Sequence, residues 1–103
     1  MTERQRTALE RRRDLVLGVD SGPLDLGAIW GEGVPVVLEI GFGDGLATAA
    51  MAGADSDTGV LAIDVHTPGV GELLARLDDN DLANVRVMEA DALGVLARSI
   101  PRA

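Results

Sequence analysis

The chain has 103 residues with 17 acidic and 9 basic side chains, a formal net charge of −8, 47% hydrophobic and 2% aromatic content, and no cysteine. Disulfide scaffolds and cysteine-ligated zinc sites are excluded, no apolar run reaches the roughly 18 residues of a membrane span, and the opening residues lack the charged-then-apolar pattern of a secretory leader. One small globular, cytoplasmic domain is expected, and on composition alone a chain this acidic repels phosphate.

The charge is unevenly placed. Residues 1–13 hold five arginines (Arg4, Arg6, Arg11, Arg12, Arg13) against Glu3 and Glu10, a net of +3, whereas the remainder carries −11. Lysine is absent, so every basic side chain is a guanidinium. Two readings stand side by side: a solvated helix face, or a basic arm whose guanidinium forks touch phosphates.

Thr2-Glu3-Arg4-Gln5 has the form of a capping box and predicts a helix from there to about Leu15. Its apolar content, Ala8 and Leu9, is thin, so it needs an outside partner. Gly18 to Gly33 holds five of the 13 glycines plus Pro23 and reads as loop, with a short turn at Leu24–Trp30 and Trp30 as a packing anchor. Residues 1–33 thus form an N-terminal helix and loop ahead of the regular structure.

Val36-Val37-Leu38-Glu39-Ile40 is a nearly continuous apolar run, the pattern of a strand buried on both faces. Leu46–Ala52 predicts a helix of small residues lying close to a sheet. After the loop Asp55–Thr58 and Gly59, Val60–Ile63 predicts a second strand, closed by Asp64. Thr67 then Pro68 reads as an N-cap and first helical residue, and Val70, Leu73, Leu74 and Leu77 recur at helical spacing. Asp78–Asp81 is a polar turn and Val85–Met88 a third strand. Leu93, Leu96, Ala97 and Ile100 repeat the helical spacing until Pro101. Alternating strands and helices imply an α/β doubly wound sheet, about three parallel strands joined by crossover helices, over residues 34–103.

The first strand runs into Gly41-Phe42-Gly43-Asp44-Gly45. Such a loop lets a backbone approach a ligand in the crevice at the carboxyl ends of the strands. The dinucleotide fingerprint needs a glycine where Leu46 stands. Glu39, Asp64 and Asp91 each fall at or just past a strand end, which parallel strands bring to one edge. Taken singly, such acids are solubilising loop caps. Three in register beside a glycine loop suit a ligand with hydroxyls, an amine and a positive centre, as in S-adenosylmethionine: Asp64 for the ribose hydroxyls, Asp91 for the adenine amine, Glu39 for an ammonium or sulfonium. His66 reads as structural and Phe42 as packing beneath the loop. No spacing suggests a metal site.

The residues Val37-Leu38-Glu39-Ile40-Gly41-Phe42-Gly43-Asp44-Gly45, then Leu61-Ala62-Ile63-Asp64-Val65-His66-Thr67-Pro68-Gly69-Val70-Gly71, then Asn84-Val85-Arg86-Val87 leading to Asp91-Ala92, resemble the bacterial tRNA (guanine-N7-)-methyltransferases. The tract His66–Gly71 is the specific part. The resemblance implies a partial class I S-adenosylmethionine-dependent methyltransferase (Rossmann-like) fold. It implies methyl transfer to guanine N7 in the tRNA variable loop, with tRNA the partner of the complete protein. The implied cofactor-binding residues are Glu39, Gly41, Gly43, Asp64, Asp91 and Ala92, with no catalytic residue among those present. Asp64 stands where the family usually has Glu, and Asp44 where it usually has a neutral residue, adding charge expected to weaken cofactor binding.

The family continues with a fourth strand, the motif F-P-D-P-W and a basic stretch, none of which lies in these 103 residues. The expectation is therefore the cofactor half of the enzyme, binding S-adenosylmethionine weakly or not at all and not methylating tRNA by itself. Without the fourth strand, the first is expected to be an exposed apolar edge. The alternatives are a class I methyltransferase with another substrate and a non-catalytic cofactor-binding remnant; a dinucleotide module is disfavoured by Leu46 and Asp91.

Overall fold

The computed structural model describes residues 1–18 and 24–91. Helix α1 (Glu3–Arg11) starts from the expected capping box: the Thr2 hydroxyl accepts the Gln5 main-chain N–H at 3.1 Å and the Gln5 side-chain Oε1 accepts the Thr2 N–H at 3.0 Å. The helix is shorter than its predicted extent to Leu15. It breaks at Arg12 into a 3₁₀ turn, Arg13–Leu15, which lets the chain reach the sheet, where Leu17 N–H donates to Val87 C=O at 2.9 Å.

The short helix α2 (Leu26–Trp30) is capped by Asp25, which accepts the Ala28 N–H at 3.0 Å. Then follow β1 (Val36–Ile40), α3 (Leu46–Ala54), β2 (Gly59–Asp64), α4 (Thr67–Asp79) and β3 (Val85–Glu89). The strands are parallel, in the order β1-β2-β3, with Val36 opposite Gly59 and Val60 opposite Val85.

Alternation along the strands sorts their side chains onto two faces. Val60, Ala62, Val85 and Val87 join one core with Ala8 of α1, Ala49 and Ala52 of α3, and Leu73, Leu74 and Leu77 of α4. Leu61, Ile63 and Met88 form a second core with Leu24, flanked by Leu17, Leu26, Ile29 and Trp30. Trp30 anchors this side: its indole N–H donates to Asn84 C=O at 2.9 Å and its ring lies against Gly59.

Two further expectations need correction. The uniform apolar run of β1 suggested burial on both faces, yet Val37, Leu38 and Ile40 are 41%, 37% and 53% exposed. The cause is position: among the described residues β1 is the sheet edge and pairs only with β2, the exposed apolar edge also expected of the first strand. The predicted cap at Thr67 moves by one, because His66 is the N-cap and Thr67 opens α4. Pro68 is harmless in either frame, since first-turn N–H groups have no intrahelical partner.

The outside partner of α1 is α4. Arg4 pairs with Glu72 at 3.3 Å and Asp79 at 2.7 Å, Arg11 with Asp78 at 3.1 Å, and Arg12 with Asp78 at 3.7 Å. The bonds to Asp79 and Glu72 raise the Arg4 guanidinium pKa above its ordinary value. These three arginines are thus paired with acids of α4. Exposed pairs are weak because solvent screens them, so the docking of α1 rests mainly on apolar packing, with Ala8 buried. No helix among the described residues is long and apolar enough to cross a membrane. The helix expected over Leu93–Ile100 lies outside the described residues.

Candidate cofactor site

Parallel strands bring their carboxyl ends to one edge, and the three acids follow. Glu39 is the penultimate residue of β1, Asp64 the last of β2, and Asp91 stands two past the end of β3. Register puts Glu39 opposite Ala62, so alternation places Glu39 and Asp64 on the same face, the one that α3 covers. Ala92 lies outside the described residues.

The loop between β1 and α3 is built from left-handed glycines, with φ of +74° at Gly41, +63° at Gly43 and +83° at Gly45. It has an open front and a closed back. A Cβ added at Gly41 or Gly43 would meet nothing within 4 Å, whereas one at Gly45 would lie 2.7 Å from Leu73. From behind, Gly69 in the first turn of α4 approaches so closely that a Cβ there would strike the carbonyl oxygen of Gly43.

Hydrogen bonds tie this loop to the strand ends. Gly41 N–H donates to Ile63 C=O at 2.8 Å. Asp64 accepts the Gly43 N–H at 3.1 Å on one oxygen and the Val65 N–H at 2.7 Å on the other. Glu39, half-buried, accepts the hydroxyl of Thr48 at 2.8 Å. Thr48 is fully buried, so this bond supplies Glu39 with a fixed donor.

The Asp44 carboxylate has a partner on each oxygen. One carboxylate oxygen accepts the Leu46 N–H at 3.1 Å, and Arg76 of α4 reaches the other at 3.4 Å. The charge expected to weaken cofactor binding is thus partnered, and toward a ligand of net positive charge a carboxylate is favourable by charge alone. Phe42 is buried in the core below the loop. His66 is exposed and acts as a cap, its C=O accepting the Val70 N–H at 3.1 Å. No group of three or more His, Cys, Asp or Glu among the described residues could hold a metal ion.

Sequence reasoning missed three supporting residues. Thr48 had one visible signal, a lone hydroxyl in the apolar run of α3. Gly69 stood within the tract His66–Gly71 but with no role assigned, and Arg76 had no signal, because both roles depend on which side of α4 faces the loop.

The sequence model of the family described as Putative methyltransferase matches residues 34–103. A tRNA (guanine-N(7)-)-methyltransferase of Streptomyces avermitilis is 53% identical over 82% of this chain and 29% of its own length. Proteins of the same name from Neisseria meningitidis serogroup B and Photorhabdus laumondii are 48% and 44% identical, over 93% and 98% of this chain and 41% and 43% of their own lengths. The chain therefore spans less than half the length of these curated relatives. With the match running from just before β1 through the glycine loop and all three strand-end acids, the chain belongs to this methyltransferase family.

Proposed function

We propose that the chain is the donor half of a tRNA (guanine-N7-)-methyltransferase, holding S-adenosylmethionine over the glycine loop so that the whole protein methylates guanine N7 in the tRNA variable loop. The observation that carries this is the open-fronted loop tied to Asp64 through the Gly43 N–H at the edge where Glu39 and Asp91 also stand. The residues fit the cofactor. The bare α-carbons of Gly41 and Gly43 leave room for close approach, and a carboxylate holding single N–H donors keeps lone pairs for hydroxyls.

In this reading Asp64 accepts from the ribose hydroxyls, and Asp91, with Ala92 beside it, meets the adenine amine. Glu39, steadied by Thr48, faces the ammonium or sulfonium. Bound S-adenosylmethionine supplies a methyl group on a positively charged sulfur. Guanine N7 carries a lone pair and no proton, so the chain's task is alignment rather than proton transfer, and its negative edge favours positive charge nearby. The acceptor, tRNA guanine, is taken from the names of the relatives; a methyltransferase of another acceptor would use the same donor site.

Calorimetric titration with S-adenosylmethionine tests the reading. Binding should be weak, and Asp64→Ala should weaken it by about tenfold or more, the cost of removing charge-assisted hydrogen bonds. A folded chain that shows no binding overturns the proposal. The 103 residues alone should incorporate no methyl group into tRNA.

A further inference from the structure

One stripe of α4 braces the closed back of the glycine loop. Gly69 admits the Gly43 carbonyl, Leu73 packs against Gly45, and Arg76 reaches Asp44. These positions are spaced i, i+4 and i+7, one face of a helix. The first two contacts are steric. The third is a directed grip: the Arg76 Nε donates to the main-chain carbonyl of Asp44 at 3.0 Å while Nη2 donates to its carboxylate at 3.4 Å.

The main-chain contact matters more than the ion pair. The Asp44 side chain is 65% exposed, where charge pairs are weak. The peptide joining Asp44 to Gly45, however, is held at both ends. Its C=O accepts from Arg76 and its N–H donates to Phe42 C=O at 3.0 Å. Glycines on both sides of Asp44 make rotation of that peptide the soft motion of the loop. Arg76 is itself steadied by Glu72 at 3.8 Å, and Glu72 also receives Arg4 and Gln5 of α1.

We propose that Arg76 is a positioning residue for the glycine loop, clamping the Asp44–Gly45 peptide so that the loop is preformed for its ligand; the ligand assignment rests on the S-adenosylmethionine reading above. Preforming a loop raises affinity by removing an ordering cost. The sign of the effect separates this from simple electrostatics. S-adenosylmethionine is a cation, so deleting a nearby arginine should tighten binding by charge alone. Loss of the clamp should weaken it.

The test compares the unsubstituted chain with Arg76→Ala and Arg76→Lys. Amide hydrogen exchange is read without ligand and affinity by calorimetry with S-adenosylmethionine. In Arg76→Ala, exchange at Gly45 and Leu46 should rise by about three- to fivefold, with affinity falling by a similar factor. The amides of Val60 and Val87 should be unchanged. Arg76→Lys keeps the charge but lacks the fork, so it should lie between the two, and it carries the test if the alanine variant does not fold. Unchanged exchange at Gly45 and Leu46 overturns the clamp whatever the ligand does. Equal or tighter binding by Arg76→Ala also overturns it. If the unsubstituted chain binds no S-adenosylmethionine, the functional reading falls and the exchange data alone decide the clamp.

Discussion

Replacing Gly69 with alanine sets two effects of known size against each other. Inside a helix, glycine to alanine gains up to about 1 kcal/mol from backbone propensity. At Gly69 the new Cβ would overlap the carbonyl oxygen of Gly43, and backbone cannot swing aside as a side chain does. Relief requires moving the loop or the start of α4, and α4 is pinned by Leu73, Leu74 and Leu77, all fully buried. Overpacking of this kind costs about 1–3 kcal/mol, so the net change should be a destabilisation of up to about 2 kcal/mol. Gly53 in α3 is the matched control. A Cβ there would meet only Leu82 methyls at 3.8 and 3.9 Å, ordinary contact, so Gly53→Ala should stabilise by about 0.4–1 kcal/mol. Urea denaturation of both variants gives the two signs directly. A Gly69→Ala chain stabilised as Gly53→Ala is would refute the close approach of α4 to the glycine loop.

Thr48→Val keeps the shape but removes the donor to Glu39, leaving a half-buried carboxylate to water; it should cost about 1–1.5 kcal/mol in the same assay, and no change would mean that Glu39 needs no fixed donor. Arg11→Ala, which loses only the pair to Asp78, should cost no more than about 1 kcal/mol and less at high salt. Leu77→Ala, in the core that α4 contributes, should cost about 2–5 kcal/mol; comparable losses for the two would contradict the view that packing rather than charge docks α1.

The order of elements was legible because apolar runs and their glycine and proline punctuation are local properties. The acids at the strand ends were legible for a related reason: parallel connection forces strand ends together wherever the side chains point. The exposure of β1 could not be read from its own residues. Val37, Leu38 and Ile40 have the composition of a buried strand, and only the neighbours of a strand decide what covers it. The fate of the N-terminal arginines was equally hidden. Arg4 is 68 residues from Glu72 in sequence, so nothing local distinguishes an acid-paired helix face from a phosphate-binding arm. Thr48, Gly69 and Arg76 depend on helix rotation, which periodicity specifies for apolar residues and not for a single polar one.

The sequential strand order also bears on how the chain assembles. Both sheet pairings join segments roughly 25 residues apart (Val36 to Gly59, Val60 to Val85). The contact of α1 with α4 closes 68 residues, about 0.9 kcal/mol more in loop entropy, and a nine-residue helix is marginal before it docks. The two strand–helix–strand units should therefore form first and α1 should arrive last. By the same reasoning α1 should be the first element to leave, so that opening at the amino terminus costs less free energy than opening of the sheet.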